Sequence, residues 1–84
     1  MDGPRLELKY PCEWEYRVIG ADEAQLRAAI EGVLGDRPAK VTPGRSSTGG
    51  KWVTLVVALE VASEEDRLQL YEALRGHEAV KIVL

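Results

Sequence analysis

Lys51-Trp52-Val53-Thr54-Leu55-Val56-Val57-Ala58-Leu59-Glu60-Val61-Ala62 is the stretch that decides the fold. Val53, Leu55, Val57, Leu59 and Val61 fall at every second position, so an extended chain places all five on one face. A polar, glycine-rich loop, Arg45-Ser46-Ser47-Thr48-Gly49-Gly50, precedes the stretch, and Ser63 opens a helical pattern after it. A strand this rich in valine and leucine suits the middle of a sheet, with a hairpin at one end and a crossover helix at the other.

Upstream, Ala39 to Arg45 reads as a second, poorer strand. Pro43 lacks the N–H that a central strand must donate, so this segment belongs at a sheet edge. Before it, Asp22 is placed to cap a helix, with Gln25 three residues on to return the bond. Leu26, Ala29, Ile30, Val33 and Leu34 follow at helical spacing, and Gly35 and Pro38 end the pattern. Gly32 interrupts this helix at a cost of roughly 1 kcal/mol against alanine, and close packing is the one reason the sequence suggests for it. Glu13 to Ile19 reads as the first strand. Trp14, Tyr16 and Val18 share one face, Glu13, Glu15 and Arg17 the other, and Gly20 ends it.

Downstream, Ser63 caps a helix whose first turn is Glu64-Glu65-Asp66, a charge that suits a helix N-terminus. Leu68, Leu70, Tyr71 and Leu74 supply an apolar stripe, and Gly76 stops the helix. Ala79 to Leu84 closes the chain as a strand with Val80, Ile82 and Leu84 alternating. The order is βαββαβ. Two right-handed split crossovers of this kind give a ferredoxin-like α+β sandwich: a four-stranded antiparallel sheet of order 4-1-3-2, with two helices on one face. Residues 1–10 read as an extended arm and residues 11–84 as one domain.

At 84 residues the chain makes one small core, burying only ~60–65% of its unfolded surface. The single cysteine, Cys12, excludes an intrachain disulfide and cysteine-cluster metal sites within one chain. A net charge of -3 argues against a general nucleic-acid binder. The first ten residues hold no apolar signal-peptide core, and no long uncharged apolar run follows, so cytoplasmic residence without membrane contact is expected.

The residues offer little catalytic chemistry. Gly44 to Lys51 is not a phosphate-binding P-loop, because Trp52 follows the lysine and a strand, not a helix, comes next. Arg45, Ser46, Ser47, Gly49 and Lys51 could still hold a carboxylate or phosphate at the hairpin tip; a solvated turn whose serines satisfy themselves is the plainer alternative. Cys12 and His77 have no partners in sequence, so no catalytic residue, metal ligand or cofactor is assigned. The sheet face away from the helices is expected to show Ile19, Val56, Ala58 and Val83 among polar neighbours, with Trp52 near the strand start. Such a bare, apolar-centred face suits a homodimer or a protein partner.

Three segments together carry a family resemblance: Tyr10-Pro11-Cys12-Glu13-Trp14 leading into Val18-Ile19-Gly20, the Arg45–Trp52 loop, and the terminal Val80-Lys81-Ile82-Val83-Leu84. They resemble the YbeD-like family of small bacterial proteins of unknown function. The chain departs from the family pattern in pairing Gly49 with Gly50, where one glycine followed by a basic or polar residue is frequent. The resemblance implies a fold similar to ACT-type regulatory domains, a role around lipoate metabolism and no established activity. It also carries a ligand-binding role onto the first strand-to-helix turn, at Gly20 and Asp22, against the alternative of a plain strand end and N-cap. The expectation is a non-catalytic regulatory or interaction module that binds a small metabolite or a protein, or self-associates. The alternative is a nucleic-acid binder using the Arg45–Trp52 loop.

Overall fold

The computed structural model describes residues 9–44 and 52–84. The predicted tip residues Arg45, Ser46, Ser47, Gly49 and Lys51, and most of the expected arm, lie outside them. Six elements follow in the expected order: β1 (Cys12–Gly20), α1 (Glu23–Leu34), β2 (Lys40–Pro43), β3 (Val53–Val61), α2 (Glu64–Arg75) and β4 (Ile82–Val83). The sheet order is β2-β3-β1-β4, with every pairing antiparallel, which is the predicted 4-1-3-2 read from the other edge.

The valine-leucine strand is central because both its edges are paired, one with β1 and the other with β2. β1 and β3 pair along their full length, from Cys12 opposite Val61 to Gly20 opposite Val53. Residues opposite one another share a face. Tyr16 with Val57 and Val18 with Leu55 therefore point inward, while Glu15 with Ala58 and Arg17 with Val56 point outward. Leu26, Ala29 and Ile30 of α1 and Leu70 and Leu74 of α2 join the inward set in one buried cluster, so both helices lie on the same side of the sheet. The edge strand β2 ends at Pro43, which has no N–H to donate, and the Gly44 N–H just beyond it donates to the Thr54 carbonyl of β3 at 2.8 Å.

Local signals set the helix ends. Asp22 accepts the Gln25 N–H at 3.0 Å and starts α1. Gly35, at φ +61°, closes it by donating to Glu31 at 2.8 Å, a left-handed position that favours glycine. Ser63 accepts the Asp66 N–H at 3.1 Å and starts α2.

Four expectations need correction. Val83 is not on the open face: it is buried in the core, because it pairs with the inward Val18. Ile82 pairs with the outward Ile19, and Leu84 exchanges both backbone bonds with Arg17, so these two stand exposed instead. The predicted alternation through Val80 fails because the chain bends at Lys81 and only Ile82 and Val83 are strand. Leu68 is exposed, because it lies two residues, about 200° of helix turn, from the inward Leu70. A side chain at Gly32 would meet nothing within 4 Å, so close packing is not its reason.

Candidate functional site

Among the described residues, the outer face of the sheet is where the strands present side chains without partners. β1 shows Glu13, Glu15, Arg17 and Ile19 there, and β3 shows Glu60, Ala58, Val56 and Thr54 in register with them. Lys40 and Thr42 flank this pair on β2, and Leu84 and Ile82 on the β4 side. Ile82 and Leu84 are 50% and 68% exposed and stand side by side with Ile19 and Arg17 at the rim of this face. A depression of about 640 Å³ lies over the face, lined by Arg17, Ile19, Gly44, Thr54, Val56 and Leu84. Neither Glu15 nor Arg17 has a side-chain hydrogen bond or ion pair among the described residues.

Of the sequence-predicted interface residues, Ile19, Val56 and Ala58 meet on this face, half-buried, and Val83 does not. Trp52 is half-buried just before β3. Gly20 and Asp22 carry structural duties at the turn. A Cβ on Gly20 would run into the carbonyl oxygen of Ala79 and stand 3.0 Å from the Leu26 side chain, so glycine lets β1 end hard against the segment leading to β4. The Asp22 carboxylate is engaged in capping α1. His77 works in the same way: its Nδ1 accepts the Ala79 N–H at 3.3 Å.

Sequence reasoning missed a polar cluster where the start of α2 meets the sheet. Asp66 is the third residue of α2, and its carboxylate reaches back to accept the Ala62 N–H at 2.9 Å. It also receives the Arg37 guanidinium through both nitrogens, one at 2.9 Å, and Arg37 spans on to the Glu60 carbonyl at 2.9 Å. The Arg37 bond, the Ala62 N–H and the Arg37 charge hold the Asp66 carboxyl down to about 2, from 3.8. The neighbouring Arg67 lies over the Trp14 ring, 4.7 Å from its centre, and donates to the Tyr10 hydroxyl at 3.1 Å. The Tyr16 hydroxyl donates to the Arg67 carbonyl, and burial raises the phenol above its ordinary 10. Ser63-x-x-Asp66 was readable as a cap. Its partner Arg37, 29 residues away, was not. This cluster consumes its own charges and so fastens α2 and the α1–β2 connection to the sheet. It leaves little for a ligand.

Among the described residues, no group of three His, Cys, Asp or Glu could hold a metal ion. No helix among them is long and apolar enough to cross a membrane.

The profile of DUF493, described as a protein of unknown function, matches residues 6–84. The chain belongs to the DUF493 family. Relatives run nearly its full length: the uncharacterized protein Cj0253 of Campylobacter jejuni is 30% identical over 83% of this chain and 80% of its own. A UPF0250 protein of Paraburkholderia phymatum is 30% identical over 92% and 91%. The solution structure of HP0495 from Helicobacter pylori superposes with a TM-score of 0.81 at 27% identity, covering 99% of this chain and 91% of that one. The ACT domain from the GTP pyrophosphokinase of Chlorobium tepidum follows with a TM-score of 0.62 at 19% identity, over 86% and 94%. This DUF493 protein therefore has an ACT-like fold, and the YbeD-like resemblance read from its three segments is correct.

Proposed function

We propose that this DUF493 protein is a non-catalytic regulatory or protein-interaction module that works by docking its outer sheet face. The observation that supports this reading most is the contrast across one sheet. On the helix side Asp66 is paired with Arg37 and Arg67 lies over Trp14, whereas the outward face combines exposed Ile82 and Leu84 with half-buried Ile19 and Val56 around Arg17, which has no partner among the described residues. An ordered face of this kind suits a macromolecular partner. The ACT-like fold adds a regulatory setting by analogy of fold alone. Glu13, Glu15 and Glu60 share the face with Arg17 and would repel a phosphate backbone, so the nucleic-acid alternative gains nothing from this surface.

The test is capture from native lysate by the wild-type chain and by Val56→Lys, which sets a charge at the centre of the face without touching the core. Proteins held by wild type and lost from the variant are expected. An identical set from both would contradict the reading. A thermal-shift panel of metabolites checks the small-ligand side: a true ligand at 100 times its dissociation constant adds roughly 2.7 kcal/mol.

A further inference from the structure

We propose that the outer face docks a second copy of this chain, face to face, about a two-fold axis that crosses the strands between Glu15 and Arg17. The proposal rests on the interaction reading above and names its partner. Glu15 and Arg17 stand two residues apart on β1 and so share the outer face, about 7 Å apart along the strand. They are opposite in sign, and neither is paired among the described residues. A two-fold axis at that level lays β1 antiparallel over β1 of the other copy. Each Arg17 then lies over the other copy's Glu15, and one surface forms two ion pairs at once, because an isologous contact repeats every pairing. In the neighbouring column Val56 falls over Ala58 of the other copy, a branched side chain against a methyl group. On β2, Thr42 falls over Lys40.

The other face-to-face arrangement, with the axis along the strands, lays β1 over β3 of the second copy. It brings Glu13 over Glu60, a like-charge contact that disfavours assembly. The charge pattern therefore selects the crossing axis. The overlap is carried by β1, β2 and β3, because β4 lies level with Arg17–Ile19 alone and the axis leaves its Ile82 and Leu84 uncovered. It offers about 400 Å² to each copy, short of the roughly 800 Å² per partner of a standard interface. The dimer is accordingly weak, forming at high micromolar concentration, and it weakens with salt because its ion pairs lie on the surface.

Sedimentation equilibrium at low salt, from low micromolar to millimolar chain, tests the pairing on the full-length protein. Native-like amide spectra of each variant confirm the fold. Wild type dimerises; Arg17→Glu alone and Glu15→Arg alone each lay like charges over one another and weaken the dimer at least about tenfold. Mixing the two single variants restores association, because every acidic position of one then lies over a basic position of the other. Carrying both substitutions in one chain also restores it, to within about threefold of wild type. A wild type that stays monomeric to millimolar concentration overturns the second copy as the occupant, and leaves the docking face itself to the Val56→Lys capture experiment. A dimer indifferent to both single reversals overturns the proposed pairing. If that dimer also survives Val56→Lys, the contact lies elsewhere and the outer-face reading falls with it.

Discussion

The two sides of this sheet treat charge in opposite ways. On the helix side, Asp66 is held by Arg37 and by a backbone N–H, and Arg67 is spread over Trp14 and bonded to Tyr10. On the outer side, Glu15 and Arg17 sit on the same strand, two residues from one another, with no partner among the described residues. A charge that fastens two elements is accounted for by folding, whereas Glu15 and Arg17, beside exposed Ile82 and Leu84, stay free for the proposed partner.

That contrast breaks most readily at the centre of β3, where neighbours face opposite ways. Leu55 is fully buried and Val56 is not. Leu55→Ala is expected to cost about 2–5 kcal/mol in urea unfolding, while Val56→Ala stays near ±0.5 kcal/mol. Equal losses at both positions would erase the two-sided sheet.

Next comes the fastening cluster. Asp66→Asn removes a charge-assisted pair and is expected to cost about 1–3 kcal/mol. The pH dependence follows from the same carboxyl. Its folded pKa, lowered to about 2 from 3.8, means the folded state takes up the proton less readily than the unfolded chain. The Asp66 contribution is therefore complete above about pH 4 and is lost as pH falls through about 2. Unfolding curves of wild type and Asp66→Asn should converge over that window. Curves that stay parallel to pH 2 would show that Asp66 does not fasten α2 in this way.

A smaller effect of opposite sign is expected at Gly32. Open space surrounds it, so Gly32→Ala should stabilise the chain by about 0.5–1 kcal/mol in thermal or urea unfolding. Destabilisation would mean that something packs against that helix face. The smallest effect belongs to the outer charge itself. Arg17→Gln should leave monomer stability within about 0.5 kcal/mol, and a larger loss would make Arg17 a folding residue and end the contrast.

Period-two and period-3.6 patterns made the architecture legible, because burial on one face is what both patterns encode. The edge position of β2 followed from one missing N–H at Pro43, and both helix starts followed from Asp22 and Ser63. The last strand was misread because the bend at Lys81 shifts parity between Val80 and Val83, and no residue in Val80-Lys81-Ile82-Val83-Leu84 announces a bend. Counting back from its pairing with Val18 would have placed Val83 inward, but that register is a long-range property. The Arg37–Asp66 pair was hidden for the same reason. Of the candidate site, Ile19, Val56 and Ala58 were legible from alternation on two strands; Ile82 and Leu84, which give the face its exposed aliphatic margin, were not.

The claim that one copy of this protein meets another through the outer sheet face is tested most directly by isotope-filtered NOE spectroscopy on a mixture of labelled and unlabelled chain at millimolar concentration. Intermolecular contacts from the Val56 methyls to the Ala58 methyl of the other copy are expected, with none from Leu68 on the outer side of α2. Contacts confined to Leu68 and its helix, or no intermolecular contact at all, would contradict it.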